Sequence, residues 1–302
     1  MGPPLEDENL PPLYQAANHT SSVAQSQLLW ATRIRLAGLV AAAVFGLFTW
    51  TTNDSPVDYA GVLGAISFGL TLIAQIYLLS ERPQRTWYQA RAAAESVKTL
   101  AWRYAVGGAP FGVGSRPSEG EVEDLFLGQL DEIIGLVKDI KLEVAGSTNG
   151  IQITKQMRTL RASSLEDRKN AYEEGRVANQ QSWYIGKATW NRRREKLWAA
   201  GMIVVESAGF AAAILKSVGI VVADLLGLAG ALVAAMMAWV QTRQHSYLAT
   251  AYLITSVELA SVRTKIRRQQ AEADWAGFVA DAEEAFSREH TLWKASRGVE
   301  SI

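Results

Sequence analysis

An all-α membrane protein is the fold class this sequence predicts, and three observations predict it. Four apolar stretches approach the roughly 20 residues a helix needs to cross a bilayer. Basic residues gather at one end of each stretch, and no segment carries the period-two alternation of a strand. The expected architecture is two tandem transmembrane helical hairpins, four spans in all, with long amphipathic cytoplasmic helices. The 302 residues include 30 basic and 30 acidic side chains, so no overall field favours a nucleic-acid partner. There is no cysteine, which removes disulfides, thiolate metal sites and a cysteine nucleophile.

The first residues, "MGPPLEDENLPPLYQAANHTSSVAQSQLL", lack the basic start and apolar centre of a signal peptide. Residues 1–24 therefore read as a disordered tail leading into a helix. The spans are expected at Ile34 to Thr52, Tyr59 to Leu79, Leu197 to Leu215 and Val218 to Val240. The first connection, "TNDSPVD", has no Lys or Arg, and the second, "KSVG", has only Lys216. At the other ends lie Arg33 and Arg35, Arg82 and Arg85, the run Arg192, Arg193, Arg194 and Lys196, and Arg243. Loops rich in Lys and Arg stay in the cytoplasm, so these residues are read as cytoplasmic anchors and both termini as cytoplasmic. Trp30, Trp50, Trp198 and Trp239 fall at span boundaries, where amphipathic rings form an interfacial belt.

The second hairpin follows the first by about 160 residues and enters and leaves on the same side, which is a parallel duplication. At that offset Trp30 and Arg33 match Trp190 and Arg193, and Ser96, Val97 and Arg103 match Ser256, Val257 and Arg263. The expected domains are a first two-span unit over 25–146 and a second over 147–302.

Between the hairpins, "RTWYQARAAAESVKTLAWRYAV" predicts an amphipathic helix, then "GGAPFGVGSRPSEGE" breaks it. Apolar residues from Val122 to Ile140 step by three and four, and "GSTNG" ends that helix. Ser163 and Glu166 have capping-box spacing. From there a helical pattern runs to Leu215, about 75 Å at 1.5 Å per residue. After the second hairpin Tyr247, Ala251, Ile254, Val262 and Ile266 mark one helical face, and Trp275, Phe278, Ala282, Phe286 and Trp293 mark a last one.

Three stretches carry a family resemblance: "WYQARAAAESVKTLAWRYAVGGAPF", "MRTLRASSLEDRKNAYEEGRVANQQSWYIGKATWNRRREKLW" and "AEEAFSREHTLWKASR". Together they resemble bacterial tandem SLATT proteins, two-transmembrane domains named for association with SMODS nucleotide synthetases and SLOG sensor domains. The resemblance covers roughly residues 25 to 297. It implies a membrane effector of bacterial conflict systems that forms pores or perturbs the inner membrane when a nucleotide-type signal is sensed. A cytoplasmic sensor protein or nucleotide signal is then the implied partner, besides the lipid bilayer.

Glu206 is the outstanding single residue. An acid at a span centre costs about 2.5–3.5 kcal/mol on insertion scales, against gains of about 0.3–0.6 for each large aliphatic residue. It reads either as lining for a polar pathway or as structural glue, hydrogen-bonded across helices. The matching position in the first hairpin is Gly46. Asp224, a turn or two inside the fourth span, is placed to pair with Lys216 or to form an outer ring in an oligomer. Small residues recur at four-residue steps at Gly38, Ala42 and Gly46, at Gly61, Ala65 and Gly69, and at Ala223, Gly227 and Ala231, which suits close helix packing. Four spans are few for a pore in one chain, so a pore implies a homo-oligomer.

Other chemistries find little support. "GGAPFGVGS" lacks the Lys of a phosphate loop and follows no strand, so a flexible inter-helix loop is expected. Ala65, Ser67 and Gly69 give AxSxG inside a span with no intramembrane His as base. His19, His245 and His290 show no metal-ligand spacing. The basic run at Arg192 to Lys196 can attract anionic lipid, although topology alone explains it. No enzyme activity, metal or cofactor is expected.

Overall fold

The computed structural model describes residues 5–54, 56–114, 118–138, 140–142 and 150–296, with side chains described as far as Glu284, Leu136 excepted. They form α1 (Pro12–Phe45), α2 (Tyr59–Glu81), α3 (Pro83–Val106), α4 (Glu119–Leu136), α5 (Lys155–Arg161), α6 (Leu165–Ala171), a π-helical turn (Tyr172–Ala178), α7 (Asn179–Ser217), α8 (Leu225–Arg243), α9 (His245–Ile266) and α10 (Glu272–Ser296). The fold is all-α, as expected. Among the described residues four stretches are long and apolar enough to cross a membrane: Pro12–Phe45, Tyr59–Glu81, Leu165–Ser217 and Leu225–Ile266. The third of these is 53 residues of unbroken helix, so the pattern read through Arg192 is real.

The chain forms two compact units. One comprises Ser26–Pro83 and Ala188–Thr250, and the other Met1–Gln25, Gln84–Lys187 and Ala251–Ile302.

The first of these, the spanning unit, holds both hairpins. They share two devices that support duplication. Asp58 and Asp224 occupy the residue before α2 and α8, and each has a glycine three residues on, Gly61 and Gly227. A Cβ on Gly61 would lie 3.2 Å from the Asp58 carboxylate, and one on Gly227 would lie 2.6 Å from that of Asp224. These glycines therefore make room for an aspartate, not for a neighbouring helix. At the other end α2 and α8 stop on left-handed residues, Arg82 (φ 46) and Gln244 (φ 49), and the next helix begins at once. A side chain in that region costs about 1–2 kcal/mol, so using it twice at matching places is a structural signature.

Two span ends differ from expectation. The first helix stops at Phe45 and not Thr52, because Trp50 donates its backbone N–H to Asp58 at 2.8 Å and its carbonyl accepts from the Tyr59 N–H at 2.8 Å. Those bonds close the hairpin tip as a loop. The fourth starts at Leu225 and not Val218, since Gly219 turns the chain at φ 77. Asp224 thus stands at the mouth of the span instead of inside it.

The packed face of α2 is also one residue out of register with the expected stripe. Ala60, Thr71 and Ala74 are buried, with Gly64 and Ser67 half-buried between them, while Gly61 and Ala65 are exposed. Real close approach occurs at Gly38, where a Cβ would sit 2.8 Å from the Ser67 carbonyl, and at Gly209, where it would sit 2.6 Å from the Ala229 Cβ. Gly69 has nothing within 4 Å. Gly209→Leu is expected to strain the second hairpin by about 1–3 kcal/mol, lowering its melting temperature in detergent. Gly69→Leu should leave that temperature unchanged.

The second unit is built around aromatic side chains. Trp102, Tyr104, Phe111, Phe126, Tyr172 and Trp275 are essentially inaccessible to solvent. The Tyr172 and Trp275 rings meet edge to face at 5.7 Å, and fully burying a ring of this kind is worth about 1.5–3 kcal/mol. Residues 5–24, expected as a disordered tail, are instead ordered against this core. Leu5, Leu10, Leu13, Tyr14 and Ala17 are buried, Thr154 donates to the Asn9 carbonyl at 2.8 Å, and Lys98 pairs with Asp7 at 2.5 Å. Polar composition hid an apolar residue every three or four positions.

Three local expectations change here. The cap of α6 is Ser164 with Asp167, one residue beyond Ser163 and Glu166. The helix after the Gly-rich break ends at Leu136, and residues 146–149 of "GSTNG" lie outside the described residues. On α9 the buried face runs through Ala249, Ser256, Leu259 and Ile266, leaving Tyr247 and Ile254 outside. The side chains of Phe286 and Trp293 lie outside the described residues.

Candidate functional site

Polar residues on apolar helices carry the chemistry of the spanning unit. Glu206 lies near the middle of the apolar part of α7 and is exposed. Among the described residues no hydrogen bond or ion pair reaches it. Its helical neighbours Ile203 and Phe210, 61% and 68% exposed, share the same outward face. Gly201 and Gly209 take the opposite role, meeting Met236 and Ala229 of α8. Within one chain Glu206 therefore faces away from the hairpin partner.

Asp224 accepts a hydrogen bond from the Lys216 ammonium at 3.1 Å, with both side chains largely exposed. An exposed pair of this kind contributes at most about 1 kcal/mol.

The first hairpin holds a polar ladder that local reading undervalued. Arg35 donates to the Gln75 side chain at 2.7 Å, and the Thr71 hydroxyl bonds the carbonyls of Arg35 and Ser67, each at 3.2 Å. Ser67, Thr71 and Gln75 are spaced by four, so they form a polar stripe in an apolar helix. That spacing was the available signal. Arg35 is thus turned into the hairpin, whereas Arg33 is not.

Arg33, Arg194 and Arg243 come from α1, α7 and α8 and each lies over tryptophan. The Arg33 guanidinium is 5.0 Å from the Trp30 ring and 5.3 Å from Trp239. Arg194 is 5.3 Å from Trp190, and Arg243 lies 5.8 Å from Trp190 and 5.9 Å from Trp239. Such contacts are worth about 0.5–1 kcal/mol each when exposed. Beside them His245 is buried, its Nδ1 2.7 Å from the Asn191 side-chain oxygen and its ring 5.4 Å from that of Trp190. Arg33, Arg194, Arg243, Trp190, Trp239 and His245 rim a cleft of about 720 Å³ whose deeper walls are Leu36, Val40, Ala41, Leu232 and Met236. Trp198 also lines it. Arg192, Arg193 and Lys196 are exposed and do not. Arg82 and Arg85 are exposed as well, and Trp50 packs on Tyr59 at 5.9 Å at the hairpin tip.

The described part of the Gly-rich break in the other unit, residues 107–114, is held by arginine side chains instead of forming a loose loop, and it is not arranged for phosphate. Arg161 donates to the carbonyls of Tyr104, Phe111 and Gly112, Arg103 to that of Ala109, and Arg168 to that of Val106. An anion site needs backbone N–H groups turned toward the ligand. Here Arg161 and Arg103 hold the segment by its carbonyl oxygens, and Arg168 holds the last carbonyl of α3 just before it. Deeper in, the Glu283 carboxylate receives Arg176 at 2.9 and 2.7 Å, Tyr172 at 2.9 Å and Thr99 at 2.9 Å. No group of three or more His, Cys, Asp or Glu residues suited to a metal occurs among the described residues.

A model described as SMODS and SLOG-associating 2TM effector domain 3 matches residues 11–169, more than half of the chain. A second, SMODS and SLOG-associating 2TM effector domain 1, matches residues 172–293. Neither description is of a catalytic family. No curated protein and no solved structure matches the chain. With two 2TM domains matched end to end and four helices able to cross a membrane, this is a membrane protein of the SLATT family that carries two of its effector domains in tandem.

Proposed function

We propose that the chain assembles through its spanning helices into a homo-oligomer of the bacterial inner membrane, with both termini cytoplasmic, and opens a polar pathway on a cytoplasmic nucleotide-type signal. The observation that carries this reading is Glu206, outward on α7 with no partner among the described residues. Left against lipid, an acid at that depth costs about 2.5–3.5 kcal/mol. A second copy, or a wet lumen between copies, removes that cost. Intramembrane ionisable groups by default face such interiors. Asp224, at the mouth of the same hairpin, supplies a second acidic ring at the outer end. The family descriptions, SMODS and SLOG-associating effector domains, support an effector that answers to a signalling system.

Liposomes loaded with a cation-sensitive dye test it. The reconstituted protein, with nucleotide signals added on the cytoplasmic face, is expected to pass cations, and Glu206→Gln to reduce the flux severalfold with assembly intact. If no flux appears under any signal and Glu206→Gln changes only assembly, the chain is instead a non-conducting scaffold that recruits a cytoplasmic partner.

A further inference from the structure

We infer that the cleft between α1, α7 and α8 binds one anionic phospholipid, with its phosphate among Arg33, Arg194 and Arg243 and an acyl chain along the apolar walls. Three helices from both hairpins each contribute one arginine to the same rim. On each helix the same face descends from the cation to apolar residues: Arg33 to Ala37 and Ala41 on α1, Trp190 through Arg194 to Trp198 on α7, and Arg243 through Trp239 to Met236 and Leu232 on α8. Steps of three and four residues keep these side chains in line, one above another. From Arg33 to Ala41 the stripe reaches about 12 Å into the span at 1.5 Å per residue.

The chemistry of this lining selects an anion with an apolar tail. It contains three guanidinium groups and no carboxylate. Each guanidinium lies with its carbon over an indole ring. Arg33 and Arg194 carry no hydrogen bond or ion pair among the described residues, so their N–H groups remain for contact with phosphate. A free phosphate would use the rim alone. The apolar wall below it has a use only if the anion carries hydrocarbon, and the volume falls within the roughly 300–1,000 Å³ of ligand pockets. Basic clefts between spanning helices at a membrane surface suit acidic head groups. The exposed run Arg192, Arg193 and Lys196 offers charge without a cavity, so the site is selected by geometry and not by basic composition.

Native mass spectrometry of the full chain in detergent tests this, using dioleoyl phosphatidylglycerol against dioleoyl phosphatidylcholine. One phosphatidylglycerol is expected to be retained in preference. Arg33→Gln and Arg194→Gln should each weaken retention about fivefold. The Arg192→Gln, Arg193→Gln double variant should retain it unchanged, and glycerol phosphate, which has the head-group phosphate without acyl chains, should not displace it. Ala41→Phe, which narrows the apolar wall and leaves every charge, should also weaken retention and carries the test if an arginine variant misfolds. Equal retention of the two lipids, equal loss in the Arg192 and Arg193 control, or displacement by glycerol phosphate would each overturn the inference, the last by making this a site for a soluble phosphate.

Discussion

Glu283→Ala is expected to destabilise the aromatic-cored unit by about 3–5 kcal/mol, the usual cost of removing one partner from a buried ion pair. The pair is inside the fold: Arg176 is 2% and Glu283 0% exposed at the side chain. The carboxylate accepts four hydrogen bonds, two from Arg176 and one each from Tyr172 and Thr99. Removing it takes the charge partner from a buried guanidinium and the acceptor from the Tyr172 hydroxyl, whose ring packs on Trp102 and Trp275. The same burial, with the Glu283 charge adding to it, raises the Tyr172 pKa well above the tyrosine value. A raised tyrosine pKa contributes stability below the unfolded value, and that contribution is lost as pH rises through the folded one. At neutral pH the network is therefore at full strength. Chemical denaturation followed by tryptophan fluorescence reads the change. The double variant Arg176→Met with Glu283→Leu should recover most of the loss, since apolar pairs often replace buried ion pairs at little cost. A single-variant loss under about 1 kcal/mol would show that water reaches the pair, contrary to the structure.

This network explains a feature that periodicity could not reveal. The π-helical turn at Tyr172–Ala178 puts Tyr172, Glu173, Arg176 and Val177 all inside. In an ordinary helix these four positions would spread over about 140° of arc, and the wider π turn draws them closer together on one face. Gly175 fits the same place, because a Cβ there would sit 3.0 Å from the Trp102 ring. Reading the segment as continuous helix was right, and its local geometry was hidden because π turns leave no period in the sequence.

Elsewhere legibility followed the range of the interactions. The hairpins were readable because hydrophobic length and charge placement are local properties of a span. The span ends were misjudged by several residues because Asp58 reaches back to Trp50 across a loop. The ordered start of the chain depends on Gln152 and Thr154, far along the sequence. The arginine and tryptophan cleft joins residues near 33, 190 and 240. Sequence offset paired Arg33 with Arg193, yet Arg194 is the residue over Trp190; three- and four-residue steps both bring helix side chains together, so the offset could not choose between them. The polar stripe of Ser67, Thr71 and Gln75 was different. It was visible at four-residue spacing, but Ser67 reads only as part of AxSxG and the stripe goes unjoined.

Glu206→Leu is expected to have the largest effect on membrane insertion of any single change. The substitution exchanges a cost of about 2.5–3.5 kcal/mol for a gain of about 0.5, a swing of roughly 3–4 kcal/mol for the isolated third span. A glycosylation-based insertion assay on residues 190–217 should show that span inserting poorly with Glu206 and efficiently with Leu. In the full chain the two properties should separate. If Glu206 meets other copies or a wet lumen, leucine strengthens each protomer's hold on the bilayer while abolishing cation flux. If Glu206 only burdens the span, leucine improves insertion and leaves flux as it was. The chain has no cysteine, so Phe210→Cys, on the same outward face, can report contact between copies by disulfide cross-linking. Cross-linking in the wild-type background that disappears with Glu206→Leu would tie the acid to assembly. Cross-linking that persists while flux is lost would tie it to conduction. Failure to cross-link under any condition would mean that this face meets lipid, and an acid held there would need another explanation.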